Sequence, residues 1–211
     1  MRRLWVAAVL AVAFGASVVA CGGSADSDSL VLRFVGFNGI GITQADSVGE
    51  TSADVDVVPS LCGTETTTEP EYFTQTTINA VFVNEEKANI VLDSYTVDLS
   101  AVADLGVRTN TLSVTVPGRR CGNQPTQSCV TDADCQLGSL PGRCQSSETP
   151  VTGLALVDLS EKFVIESNPE TWGLASNIRI TFYGHDDAAH SFTIPTSYVA
   201  TFADFDNCAG E

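Results

Sequence analysis

The sequence predicts an all-β protein, a two-sheet antiparallel β-sandwich of about seven to nine strands with a disulfide-rich loop insert. From Leu30 onward, apolar residues fall in short runs rich in Val, Ile, Thr, Phe and Tyr, separated by Gly, Asn, Asp, Pro and Ser. No long amphipathic helical pattern interrupts these runs. Four of the seven cysteines lie between Cys121 and Cys144, in a segment with almost no large apolar side chain. A core cannot hold such a segment, so cross-links must.

Residues 1–20 read as a cleaved secretory signal. Arg2-Arg3 precedes an apolar stretch from Leu4 to Phe14, and small residues from Gly15 to Ala20 lead to Cys21. A transmembrane anchor fits less well, because the 17 residues from Leu4 to Ala20 only just reach spanning length. Cys21-Gly22-Gly23-Ser24, not a basic stop-transfer cluster, follows them. Residues 21–29 form a short tether of small and acidic residues, which keeps the folded body near any anchor.

Val18-Val19-Ala20-Cys21-Gly22 resembles the lipobox of bacterial lipoproteins. The resemblance implies cleavage before Cys21, a diacylglycerol thioether on its sulfur and usually an acyl chain such as palmitate on its amino group. Two or three chains make a stable anchor where one is marginal. Gly22 in place of Asp favours outer over inner membrane by the enterobacterial sorting rule. Removing residues 1–20 takes away two arginines and no acids, moving the formal charge from -16 to -18.

The sandwich domain is expected over 30–208, interrupted by a cysteine-rich insert at 117–150. Candidate strands are Leu30 to Phe37, Ala53 to Val58, Thr76 to Asn84, Ile90 to Leu99, Asn110 to Val116, Thr152 to Leu159, Lys162 to Glu166, Ile178 to Gly184 and Ser191 to Phe202. Several alternate cleanly: Ile178, Ile180 and Phe182 oppose Arg179, Thr181 and Tyr183. Such strands bury one face and solvate the other, as antiparallel sheets do. Asn84 to Asn89 reads as a connection, Ser100 to Val107 as a short helical turn, and Gly184 to His190 as a hairpin loop. Ile178 to Asp186 followed by Phe192 to Phe205 resembles the end of immunoglobulin-like domains of bacterial envelope lipoproteins, although the antibody-type Cys and Trp framework is absent.

In the insert, Cys121, Cys129, Cys135 and Cys144 stand at steps too wide for the close Cys-x2-Cys pairs of a zinc ribbon, and an exported chain meets an oxidising compartment. Disulfides are therefore expected, with all three connectivities open. Cys129-Val130-Thr131-Asp132-Ala133-Asp134-Cys135 with Gly142-Arg143-Cys144 resembles the Cys-x5-Cys and Gly-x-Cys segments of Dickkopf-type cysteine-rich modules. Cys62 and Cys208 remain as a third pair, closing a long circuit.

The remaining chemistry is sparse. His185, Asp186, His190 and Ser191 form the one cluster that suggests nucleophilic catalysis, without a nucleophile-elbow motif beside it, and His185 and His190 with Asp186 or Asp187 are the transition-metal candidates. Paired acids near loops, Asp26/Asp28, Asp54/Asp56, Asp132/Asp134, Asp186/Asp187 and Asp204/Asp206, are calcium candidates, with Asp132 and Asp134 first because the insert can gather carbonyls around them. No cofactor motif is present. The acidity argues against nucleic acid, and the 44% hydrophobic content against global disorder. The expected function is a lipid-anchored, exported envelope protein, non-catalytic, acting in binding, adhesion or structure toward an envelope protein or carbohydrate through the insert and neighbouring loops. The alternatives are an envelope hydrolase and an accessory subunit of a larger envelope complex.

Overall fold

A computed structural model describes residues 32–38, 52–59, 61–64, 67–70 and 74–205. The signal, Cys21, Asp26, Asp28, Asp206 and Cys208 lie outside the described residues. In chain order the elements are β1 (Leu32–Asn38), β2 (Ser52–Asp56), β3 (Leu61–Thr64), β4 (Thr67–Pro70), β5 (Thr76–Asn84), β6 (Ile90–Asp98), β7 (Val107–Val116), β8 (Arg120–Cys121), β9 (Gln124–Ser128), β10 (Cys144–Gln145), β11 (Glu148–Val157), α1 (Leu159–Glu166), β12 (Ala175–Asp186) and β13 (Ser191–Ala203).

The body is a two-sheet β-sandwich, as the alternation predicts. One sheet has the order β1-β5-β11 and the other β2-β13-β12-β6-β7. Aromatic rings fill the space between them. Phe34 and Phe82 from the smaller sheet pack on Phe182, which also meets Tyr95, while Phe37 packs edge-on against Tyr198. The two buried phenols keep partners, Tyr95 on the carbonyl of Ala155 and Tyr198 on that of Ser52. β5 is buried along nearly its whole length because it is the central strand of its sheet.

Three features depart from the sequence expectation. β2 runs parallel to β13, a pairing that only a long connection permits, whereas every other strand pair in the two sheets is antiparallel. Lys162 to Glu166 is not a strand but part of α1. Its apolar run is short enough to suit either state. What decides is the capping box ahead of it, in which the Asp158 N–H donates to the Glu161 carboxylate at 2.7 Å. Buried Lys162 and Ile165 then fall three apart on the inner face. β3 and β4 also pair antiparallel with each other, which the sequence did not announce, and Cys62 lies on β3. Its expected partner Cys208 lies outside the described residues.

Candidate functional site

The insert is held as its composition demands. Disulfides join Cys121 to Cys135 and Cys129 to Cys144, choosing one of the three connectivities, and all four cysteines are buried in a small cluster of their own. The sulfurs that could have gathered around zinc are thus paired with each other. Around this staple, β8 pairs with both β9 and β10.

The motif residues between the cysteines are mostly structural. Asp132 Oδ1 accepts the Cys144 N–H at 2.8 Å, and Asp134 Oδ2 accepts the N–H groups of Val130 and Thr131 at 2.8 and 2.9 Å. Those N–H groups, Thr131 first, hold the Asp134 carboxyl below the usual range. The two foremost calcium candidates therefore each commit an oxygen to backbone. Gly142 is required for closeness, since a Cβ there would collide with the Cys135 carbonyl and the Asn123 side chain.

Asn89 fixes the insert to the sandwich, and Asn84 braces the loop and strand at its base. Asn84, fully buried, donates to the carbonyls of Ala88 and Val116 at 2.8 and 3.2 Å. Asn89 Oδ1 accepts from the Arg120 guanidinium at 2.6 Å and from the Gly118 N–H at 3.2 Å. Arg119 reaches inward to the carbonyls of Val130 and Cys144. The insert exposes Val130, Leu137 (55%) and Leu140 (64%), the two leucines facing each other across a β-bridge.

The histidine cluster divides in two. Register pairs His185 with Ser191, while the neighbouring Asp186 N–H bonds the His190 carbonyl, so the two histidines belong to opposite faces of the hairpin. Asp186 closes the turn, accepting from the N–H groups of Ala188 and His190 and pairing with His190 Nδ1 at 2.9 Å. These contacts, the His190 N–H first, lower its pKa. Asp187 accepts the Asn89 N–H, which ties the hairpin to the base of the insert. His185 instead pairs through Nδ1 with Asp93 at 2.8 Å, a residue the sequence did not single out. Asp93 sits where a bulge shifts the register between β6 and its neighbours. Of the other acid pairs, Asp56 accepts the N–H groups of Val58 and Phe205, and Asp54 is exposed.

At the opposite end of the same sheet lies an open cleft of about 560 Å³, lined by Asp98, Ser100, Ala101, Asn177, Arg179, Pro195, Thr196 and Ser197. Register places Arg179 between Asp98 on β6 and Ser197 on β13. Asp98 uses only Oδ1, which accepts both the N–H and the hydroxyl of Ser100. Those two bonds, hydroxyl first, lower its pKa, and the charge of Arg179 adds to the effect. Arg179 makes no hydrogen bond or ion pair among the described residues. From the cleft the outer face continues through Thr181, Thr96 and Pro195 to half-exposed Tyr183, flanked by Ser94 and Thr193. Sequence reasoning placed Arg179, Thr181 and Tyr183 together on the polar face but could not tell it from an ordinary solvated one.

No protein-family model and no curated protein matches the chain. Among the described residues no helix is long and apolar enough to cross a membrane.

Proposed function

We propose that the chain is a lipid-anchored, exported protein of the bacterial cell envelope that acts as a non-catalytic binding module. Export and anchoring rest on the signal-like residues 1–20 and the lipobox-like run ending at Cys21. Contact with an envelope partner rests on one observation, the pair Leu137 and Leu140 held outward on a doubly cross-linked insert. Exposed apolar side chains on a rigid support bury area in a complex with little ordering cost. A photo-crosslinking residue at position 137 or 140 of the full chain, expressed in a bacterial host, should give discrete adducts in the envelope fraction. Leu137→Ser with Leu140→Ser should weaken partner retention. Diffuse or absent adducts, or no lipid label lost on Cys21→Ser, count against the reading.

A hydrolase reading has one observation in its favour: Asp93, His185 and Ser191 lie in a row across three adjacent strands on the outer face. Bonded to Asp93 through Nδ1, His185 keeps Nε2 as its remaining nitrogen. The Ser191 hydroxyl forms no hydrogen bond to it among the described residues. A fluorophosphonate probe that labels Ser191 in the native chain, and not in His185→Ala, would establish this reading; no labelling would remove it.

A further inference from the structure

The cleft around Arg179 presents a donor and an acceptor side by side. The Arg179 guanidinium offers N–H groups with no partner among the described residues, and directly across from it on β6 Asp98 keeps Oδ2 unbonded. The two residues stand opposite each other on adjacent strands, ~4.8 Å apart in the backbone, and both line the same cleft. A carboxylate or phosphate supplies acceptors only and would meet Asp98 with like charge. An ammonium supplies donors only and would meet Arg179. A pair of neighbouring hydroxyls satisfies both, because each hydroxyl donates and accepts.

The surroundings fit the same chemistry. Ser100, Asn177 and Ser197 add small polar groups at the rim, and the volume of about 560 Å³ is that of a small-molecule site. Along β12 the face rises through Thr181 and Pro195 to the exposed ring of Tyr183, ~13 Å from Arg179. Polar groups at one end and a flat aromatic surface at the other suit a chain of rings whose edges are polar and whose faces carry C–H groups. The formal charge of -16 opposes a polyanion anywhere on this body.

We propose that this cleft binds a neutral oligosaccharide, with a vicinal diol bridging Arg179 and Asp98 and a ring further along the same chain lying on Tyr183. The proposal rests on the reading of the chain as a binding module but uses a different surface from the insert.

Affinity electrophoresis of the full chain through gels containing dextran, xylan or a soluble β-glucan tests it, with polygalacturonate as the anionic comparison. At least one neutral polymer should retard the protein. Loss of one charged hydrogen-bonding group should weaken that retardation about tenfold in Arg179→Ala and in Asp98→Ala. Ser197→Trp, which fills the cleft while leaving both charged groups in place, should abolish it at unchanged melting temperature. No retardation by any neutral polymer, retardation indifferent to these substitutions, or a preference for polygalacturonate overturns the proposal. Crosslinks from positions 137 and 140 would survive that failure, whereas failure of the binding-module reading would remove the crosslinks as well.

Discussion

Arg108 joins the two sheets where β7 and β11 come together, and its replacement by Met tests how the sandwich is closed. The guanidinium bonds the carboxylates of Asp158 and Glu161, the latter at 2.6 Å, and donates to the carbonyls of Ala155 and Leu156 at 2.8 and 3.3 Å. Arg108→Met keeps much of the apolar stem and removes all of these contacts. It leaves two neighbouring carboxylates without their cation. Breaking a fully buried pair costs about 3–5 kcal/mol. Asp158 is 36% exposed and can recover water, which reduces the expected loss to about 2–3 kcal/mol. At ~2–4 °C per kcal/mol for a domain of this size, the melting temperature should fall by about 4–12 °C. Urea unfolding should show a lower midpoint at unchanged slope. Trp172 is a suitable reporter because its indole N–H bonds the Ile165 carbonyl near the end of α1. In the double variant with Glu161→Gln, part of the loss should return, because one of the two stranded charges is gone. A single variant within about 0.5 kcal/mol of the parent would refute the role assigned to Arg108.

Burial raises the pKa of Glu161 above the ordinary value of 4.5, against the opposing effects of the Asp158 N–H and Arg108. The folded chain therefore takes up this proton before the unfolded one does, and stability from this group increases as pH falls through the raised folded value toward 4.5. The stability difference between the parent and Glu161→Gln should shift in the parent's favour over that range; thermal melts showing the opposite trend would contradict the burial argument. Asp98, Asp134 and Asp186 act with the opposite sign, since their lowered pKa values give stability above the unfolded value of 3.8 that is lost as pH falls through the folded ones. Cys129→Ser with Cys144→Ser opens a loop of sequence separation 15 and should cost the insert ~3 kcal/mol. Hydrogen exchange should then rise across the insert while β5 and β12 stay protected, and a loss of protection throughout the sandwich would show that the insert is not separately stabilised. Gly142→Ala should drive Cβ into the Cys135 carbonyl, so a non-reduced peptide map should lose the Cys121–Cys135 link; an unchanged map at unchanged stability would mean that the loop can move aside.

The strands of the body were legible because their side chains obey a period of two against a single core. Thr76 to Asn84 is read to the residue, and the inward set Ile178, Ile180 and Phe182 is buried as alternation requires. Local chemistry also announced the cross-linked insert, and the Asp132, Asp134 and Gly142 of its motif have positions that explain them. What alternation could not resolve was the segment from Lys162 to Glu166, with its short apolar run Phe163-Val164-Ile165, where the deciding information lay upstream in Asp158 and Glu161. Nor could sequence proximity identify partners. His185 lies beside Asp186 in the chain, yet its carboxylate is Asp93, 92 residues away.

The same limit explains why the cleft was invisible and why it is chemically distinct. With ten lysines and arginines against 26 acids, cations are scarce, and several are built into the fold. Arg108 closes a seam, Arg119 binds carbonyls inside the insert, and Arg120 fastens that insert to Asn89. Each meets acceptors that would otherwise lack a donor, so each has a structural account. Arg179 faces an acid across one strand spacing without forming an ion pair, and Asp98 turns one oxygen to Ser100 instead. A surface pair of this kind gains little from direct contact, so a hydroxyl-bearing ligand that replaces solvent between the two charges breaks no bond of the fold. The proposed saccharide site thus follows from register, which sets two unlike charges opposite each other, and from the structural use of Arg108, Arg119 and Arg120 elsewhere in the fold.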